Sequence, residues 1–324
     1  MYPKSVTITE VGPREGMQIE PDFVPTADKI RLIDMLSECH LPAIEITSLV
    51  NPKKVPQMAD AEEVIRGIKH LPGTRYLILT LNPQGTRRAL ELGRGEPQPF
   101  FTLNVSQTFS KQNVGRSADE VLNRMPKEIQ VWREFGKSMD SLAITTVWGC
   151  NYEGNTPLSS LLSWIERALE MASAHDHHFK NVTLADSTGW ATPITVKRVV
   201  GALQDRWPEL QLRIHLHDTH GLGLANANAA LEMGITEFES SIGGIGGCPF
   251  LGSRNRMAAG NIATEDLVHL CHESGIETGI DYERLLDAAR EAEAILKHPL
   301  PGKNMHTGSL SHIRSVSQTA ARAA

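Results

Sequence analysis

Short runs rich in β-branched residues alternate along most of the chain with longer stretches in which apolar positions recur at helical spacing. That alternation is the pattern of βα units stacked on a parallel sheet. Eight strands are predicted: Val6–Val11, Ala43–Thr47, Arg75–Thr80, Phe100–Ser106, Ser141–Trp148, Asn181–Asp186, Leu212–His217 and Glu237–Ile242. Among the stretches between them, Thr26–Cys39 and Leu158–Ala174 read as clear helices, the first with Thr26 as N-cap and Asp28 in its first turn. An open doubly wound sheet also alternates this way. Eight regular units and no GxGxxG after the first strand favour a closed (β/α)8 TIM barrel. The barrel is expected over residues 1–280, with 281–324 a C-terminal helical extension that covers the top or builds a homo-oligomer contact.

Composition narrows the function classes. The 324 residues are 40% hydrophobic and 22% charged, ordinary for a globular chain long enough to bury a core without disulfides. A formal charge of −6 and no basic run interleaved with aromatics argue against nucleic acid. No apolar run approaches a membrane span, and the first residues do not resemble a signal peptide. The four cysteines, Cys39, Cys150, Cys248 and Cys271, form no CxxC pair, which points to a reducing compartment and a cytoplasmic location.

In a TIM barrel the chemistry sits at the C-terminal ends of the strands. The unusual polar residues fall there: Gly12-Pro13-Arg14-Glu15-Gly16-Met17-Gln18 after the first strand, Glu45 with Thr47 and Ser48 at the second, Asp186-Ser187-Thr188-Gly189 at the sixth, His215 and His217 on the seventh. Residues two apart on a strand share a face, so the two imidazoles can bind one cation. A bare HxH also suits two satisfied interior histidines, but a strand-end carboxylate at Glu15 and an amide at Asn261 favour the cation. A mixed nitrogen and oxygen set with open positions suits Mg²⁺ or Mn²⁺, with zinc also compatible. Cys248 follows Gly243, Gly244, Gly246 and Gly247 and precedes Pro249. It is expected on a loop over the barrel mouth, able to deliver a thiol proton. Cys39 and Cys271 lie in helical patterns and read as inert core thiols.

These segments resemble hydroxymethylglutaryl-CoA lyases, of the DRE-TIM metallolyase superfamily. The resemblance rests on Val11–Gln18, Ile44–Ser48, Pro52-Lys53, Val55–Met58, Ala185–Gly189, His215-Leu216-His217-Asp218-Thr219, the run Gly243–Pro249 and Gly260–Val268, in order over about Val6–Gly279. The glycine-rich loop ending in Cys248 separates lyases from related Claisen-condensing synthases. The resemblance implies divalent-metal-dependent cleavage of a 3-hydroxy-3-methylacyl-CoA, with hydroxymethylglutaryl-CoA giving acetoacetate and acetyl-CoA. It implies Glu15, His215, His217 and Asn261 as metal ligands and Arg14 as the cation that meets the thioester oxygen. Asp186 is implied as proton acceptor or orienter of a histidine, Glu45 as orienter of Arg14 or of the substrate, Cys248 as proton donor. Gln18, Ser48 and Ser187 are expected to contact the acyl-CoA substrate.

Several positions depart from the family pattern. Glu15 stands where aspartate is usual, Ser106-Gln107 replaces a Ser-Glu pair, Ile19 replaces an asparagine, and extra residues including Arg254, Asn255 and Arg256 lie between Cys248 and Asn261. They bear on the substrate more than on the chemistry. A lyase of a related thioester, such as citramalyl-CoA giving pyruvate and acetyl-CoA, is the alternative. A barrel retained only as a binding subunit is an alternative of another class, against which the intact set of Arg14, Asp186, His215, His217, Cys248 and Asn261 argues.

Overall fold

The computed structural model describes residues 2–247, 260–311 and 313–314. All eight expected strands form: β1 (Thr7–Glu10), β2 (Ala43–Ser48), β3 (Arg75–Leu79), β4 (Phe100–Asn104), β5 (Ser141–Thr145), β6 (Asn181–Asp186), β7 (Gln211–Leu216) and β8 (Glu237–Ser240). Every pairing between them is parallel, and β1 pairs with β8, so the sheet curls into a closed (β/α)8 barrel. One join is indirect. Glu96–Pro97 pairs with β3 at Leu77 and Ile78, the chain then turns through Gln98 and Pro99, and β4 pairs only with β5. The pattern of apolar residues misses this two-residue piece because Pro97 and Pro99 lack amide donors and interrupt the strand signal.

Alternation along each strand sorts the residues. Ile8, Ile44, Ile78, Leu103, Ile144, Leu184, Ile214 and Phe238 are at most 1% exposed and belong to one continuous core cluster with helix residues such as Leu32, Ile33 and Val64. They form the outward face that the helices cover, worth about 2 kcal/mol per buried aliphatic side chain. The inward face is polar: Thr9, Asn104, Thr183, His215 and Glu239 lie on it, and Asn104 accepts a hydrogen bond from Thr145 directly opposite on β5. The expected strands overran by one to three residues at several C-terminal ends. Val11, Ser106, His217 and Ile242 leave the ladder because their backbones turn into the loops that carry the chemistry.

The helices Thr26–Glu38, Ala61–Gly67, Pro83–Leu92, Met125–Glu134, Leu158–Ser173, Pro193–Arg206, Gly223–Glu232 and Thr264–Glu273 surround the sheet. Thr26 is not the N-cap of its helix. Pro25 occupies that position, and the Thr26 hydroxyl instead donates to Asp60 Oδ2 at 2.8 Å, joining Lys29 on the same carboxylate. The C-terminal helix Tyr282–Leu296 packs between Thr264–Glu273 and Thr26–Glu38, burying Leu285, Ala289, Ala292 and Ile295. It therefore completes the helical ring rather than hanging from it. Among the described residues no helix is long and apolar enough to cross a membrane.

Two strand ends are tied by one carboxylate. Glu10 is fully buried; its Oε1 accepts from the amides of Gly12 at 2.7 Å and Ile242 at 2.8 Å, and its Oε2 from the Thr264 hydroxyl at 2.6 Å. Burial pushes this carboxyl up to about 7 despite the three donors. A Cβ at Gly12 would lie 2.7 Å from Glu10 Oε1, so only glycine lets the turn sit this close.

Between helices Pro83–Leu92 and Met125–Glu134, Glu128 is 8% exposed and burial pushes its carboxyl up to about 7. A raised folded-state pKa means the native state holds the proton longer, so this group's contribution is present below the unfolded value near 4.5 and lost as pH rises through 7. The stability of Glu128→Gln relative to wild type, measured by urea unfolding, should therefore improve between pH 5 and pH 8, by up to about 3 kcal/mol. Parallel pH profiles for the two proteins would show that Glu128 is not held protonated.

Candidate active site

The first element of the site is a wide π-helical turn, Gly12–Gly16, directly after β1. Such turns recur at functional sites because they swing consecutive side chains together. Here they are Arg14 and Glu15. Arg14 donates from Nε to Glu45 Oε2 at 2.6 Å and from Nη2 to Glu15 Oε2 at 3.2 Å. Glu45 comes from β2 and is fully buried, with its Oε1 making no hydrogen bond. Burial pushes the Glu45 carboxyl up to about 7 against the pull of Arg14. Burial opposes the Arg14 charge too, but Glu45 and Glu15 outweigh it and raise that pKa.

Glu15 Oε1 is the meeting point of the site. It lies 3.1 Å from His217 Nε2, 3.4 Å from His215 Nε2 and 3.3 Å from Asn261 Nδ2. The two imidazole Nε2 atoms are 3.1 Å apart. Burial disfavours charge on both partners, yet their attraction prevails: His215 is pushed up to about 10 by Glu15 and Glu239, and Glu15 is held well below the usual carboxylate range.

Backbone pairing explains how Asn261 arrives there. His217 and Asn261 form an antiparallel bridge, flanked by Ile262 N to Leu216 O at 3.1 Å and Asp218 N to Gly260 O at 2.9 Å. Residues 44 positions apart are thus placed side by side at the mouth. The turn after β1 meets the glycine run after β8 with the same economy: a Cβ on Gly16 would fall 2.3 Å from Ile245 Cγ1, and one on Gly246 3.2 Å from the Gly16 backbone. Asn261 Nδ2 also donates to Ile245 O at 3.3 Å, and its Oδ1 is buried without a hydrogen-bond partner.

Each ring is oriented from behind. His217 Nδ1 donates to Ser187 O at 2.9 Å, and His215 Nδ1 to Glu239 Oε2 at 3.0 Å. Both bonds turn Nε2 toward Glu15. Ser187 thus acts through its carbonyl, while its hydroxyl accepts from Thr146 N at 3.2 Å. Asp186 does not touch a histidine. It pairs in register with the outward-facing Leu216, and its two oxygens accept from the amides of Trp190 at 2.8 Å and Ala191 at 3.0 Å. Burial raises its pKa, with those amides opposing. The expected orienting of a histidine therefore falls to Ser187 O, on the turn that Asp186 clamps.

Ser48 is fully buried at the end of β2, its hydroxyl makes no hydrogen bond, and it lines a small cleft with Met58, Glu62 and Arg88. Gln18 is half-buried on the adjoining turn Met17–Ile19. Neither hydrogen-bonds to the Glu15 cluster. Cys248, Arg254, Asn255 and Arg256 lie outside the described residues. Cys39 and Cys271 are buried, and burial pushes both thiols up to about 12. Glu239 is the site residue that the motifs missed; its signal is positional, two residues beyond Glu237 on the strand beside the histidines.

Glu15, His215 and His217 form the one group among the described residues whose His, Cys, Asp and Glu donors converge closely enough for a metal ion. Their spacings of 3.1, 3.1 and 3.4 Å suit donors on adjacent positions around a cation with bonds of about 2.1 Å. Asn261 borders the group, its Nδ2 at 3.3 Å from Glu15 Oε1, and its Oδ1 has no hydrogen-bond partner among the described residues. The donor set fits a divalent cation.

Comparison with known proteins agrees with this fold. The HMGL-like family model matches residues 5–291. The mitochondrial hydroxymethylglutaryl-CoA lyase of Bos taurus is 40% identical over 89% of this chain and 84% of that protein. The crystal structure of the Bacillus subtilis HMG-CoA lyase superposes with a TM-score of 0.86 at 38% identity, covering 94% of this chain and 98% of that one. An HMG-CoA lyase from Acinetobacter baumannii, solved in complex with coenzyme A and 3-methylmalate, gives a TM-score of 0.85 at 37% identity over 95% of this chain and 96% of that one. With the barrel, the order of its strand-end motifs and the match across most of its length in agreement, the chain belongs to the HMGL-like family.

Proposed function

We propose that this protein is a divalent-metal-dependent carbon–carbon lyase that cleaves 3-hydroxy-3-methylglutaryl-CoA into acetoacetate and acetyl-CoA. The observation that carries the reading is the convergence of Glu15, His215 and His217 beside the largely buried guanidinium of Arg14 in a chain of this family. Glu15, His215, His217 and Asn261 would hold the cation, Mg²⁺ or Mn²⁺ by donor chemistry, with zinc compatible. When bound, it supplies Lewis acidity toward the substrate's hydroxyl and carboxylate oxygens.

Cleavage requires loss of the C3 hydroxyl proton, conversion of C3 to the keto carbon, and passage of the C2–C3 bonding pair into the thioester enolate of the departing acetyl-CoA. Arg14 meets the charge that develops on the thioester oxygen. Its Nε is fixed by Glu45 at 2.6 Å, so the guanidinium is oriented before substrate arrives and little is lost in reorganising it. Asp186 contributes by holding the turn that presents Ser187 O to His217. Cys248 would return a proton to C2, which completes acetyl-CoA. Gln18, on the turn Met17–Ile19, and Ser48, at the end of β2, would contact the acyl-CoA. The free buried thiols Cys39, Cys150 and Cys271 support the cytoplasm as its compartment.

Two experiments test the reading. Acetyl-CoA release from 3-hydroxy-3-methylglutaryl-CoA, assayed beside citramalyl-CoA, should vanish on chelation and return with Mn²⁺ or Mg²⁺; full turnover in excess chelator would sink it. Arg14→Lys keeps the charge but loses the fork, so kcat should fall by about 10²–10³ with KM within a few-fold. A change confined to KM would reduce Arg14 to a substrate-binding group.

A further inference from the structure

The two histidines are anchored by acceptors of different kinds. His217 donates Nδ1–H to a backbone carbonyl, Ser187 O at 2.9 Å, whereas His215 donates to a carboxylate, Glu239 Oε2 at 3.0 Å. Glu239 lies opposite His215 in the parallel register of β7 and β8, and its side chain is 11% exposed. One rung below, Arg213 lies opposite Glu237 and donates to it from Nε at 2.8 Å.

Among the described residues, the charges at the barrel mouth draw attention to Glu239. Arg14 bridges Glu45 and Glu15, and Arg213 pairs with Glu237 while its charge also acts on Glu239. Against these two cations stand four carboxylates, of which Glu15 and Glu239, both largely buried, lie on either side of the His215 ring, with separations of 3.4 Å at Nε2 and 3.0 Å at Nδ1. With both imidazoles neutral the group carries a formal charge of −2, the complement of one dication. Glu15 is a direct donor, but Glu239 reaches only the far side of the ring.

We propose that Glu239 is a positioning residue of the metal centre: it fixes His215 with Nε2 turned toward Glu15 and His217, and as a buried anion behind the ring it strengthens divalent-cation binding. The inference rests on the cation reading above. An anionic acceptor at Nδ1–H shifts electron density toward Nε2 more than a neutral carbonyl does and makes it the better donor. Burial leaves the carboxylate's field poorly screened. His215 and His217 are therefore unequal ligands, one set by a side chain and the other by the backbone.

The test is Mn²⁺ binding to metal-free protein at fixed pH, followed by the paramagnetic resonance of the free ion. Glu239→Gln keeps the size and an acceptor oxygen but loses the charge, and should weaken binding by about 10- to 100-fold. Glu237→Gln, one rung below, should leave it within about threefold, and urea midpoints in chelator should match wild type for Glu239→Gln. Wild type that does not bind Mn²⁺ would defeat the cation reading itself. Wild type that binds, with Glu239→Gln within threefold of it, would overturn the role of Glu239 alone. Equal losses in both variants would also overturn it, by exposing a general packing effect. Should Glu239→Gln fail to fold, Glu239→Asp carries the test: a loss of about tenfold supports the role, and unchanged affinity removes it.

Discussion

The carboxylate of Glu15 is where two strand ends and a returning loop are reconciled. Arg14, His215, His217 and Asn261 all turn nitrogen toward it, within 3.1 to 3.4 Å. Without an anion at that point, several donors would face one another in a buried space, a costly arrangement in a low-dielectric interior. With it, their orientations are mutually enforced before any substrate enters. The π-helical turn that carries this glutamate holds Arg14 and Glu15 together over β1.

Outside the mouth, a second carboxylate performs a mechanical task. Glu10 faces the opposite side of β1 and ties the turn after that strand to the turn after β8 through three donors. The Glu15 turn and the glycine run that leads toward Asn261 are therefore held in fixed relation by a residue that never meets the reacting atoms. Catalytic precision rests on such support, since small displacements of a positioned group cost rate steeply.

Strand parity decides what was legible in the sequence. The eight strands announced themselves by β-branched runs, and His215 with His217 by spacing and family motif. Arg14, Glu15 and Glu45 followed from strand-end position. Asp186 shows the limit: it sits at a strand end as expected, but its parity matches Leu216, so it faces outward and binds backbone amides. Glu239 has the reverse character, carried by no motif yet placed on the inner face by register with His215. The Glu96–Pro97 join and the Thr26 hydroxyl's choice of Asp60 depend on tertiary partners that local propensity does not contain.

Closure of the ring also sets an order of events during synthesis. Thr7–Glu10 acquires its second neighbour only from Glu237–Ser240, and Val6 and Glu277 complete the seam through Val6 N to Glu277 O at 2.9 Å. Thr26–Glu38 likewise waits for Tyr282–Leu296 to cover it. A nascent chain must therefore carry an unpaired β edge and an uncovered helix face until nearly all of these residues have left the ribosome, and an open edge is a template for wrong partners. Protection of the growing chain is therefore a demand that this architecture adds to the stability of the finished one.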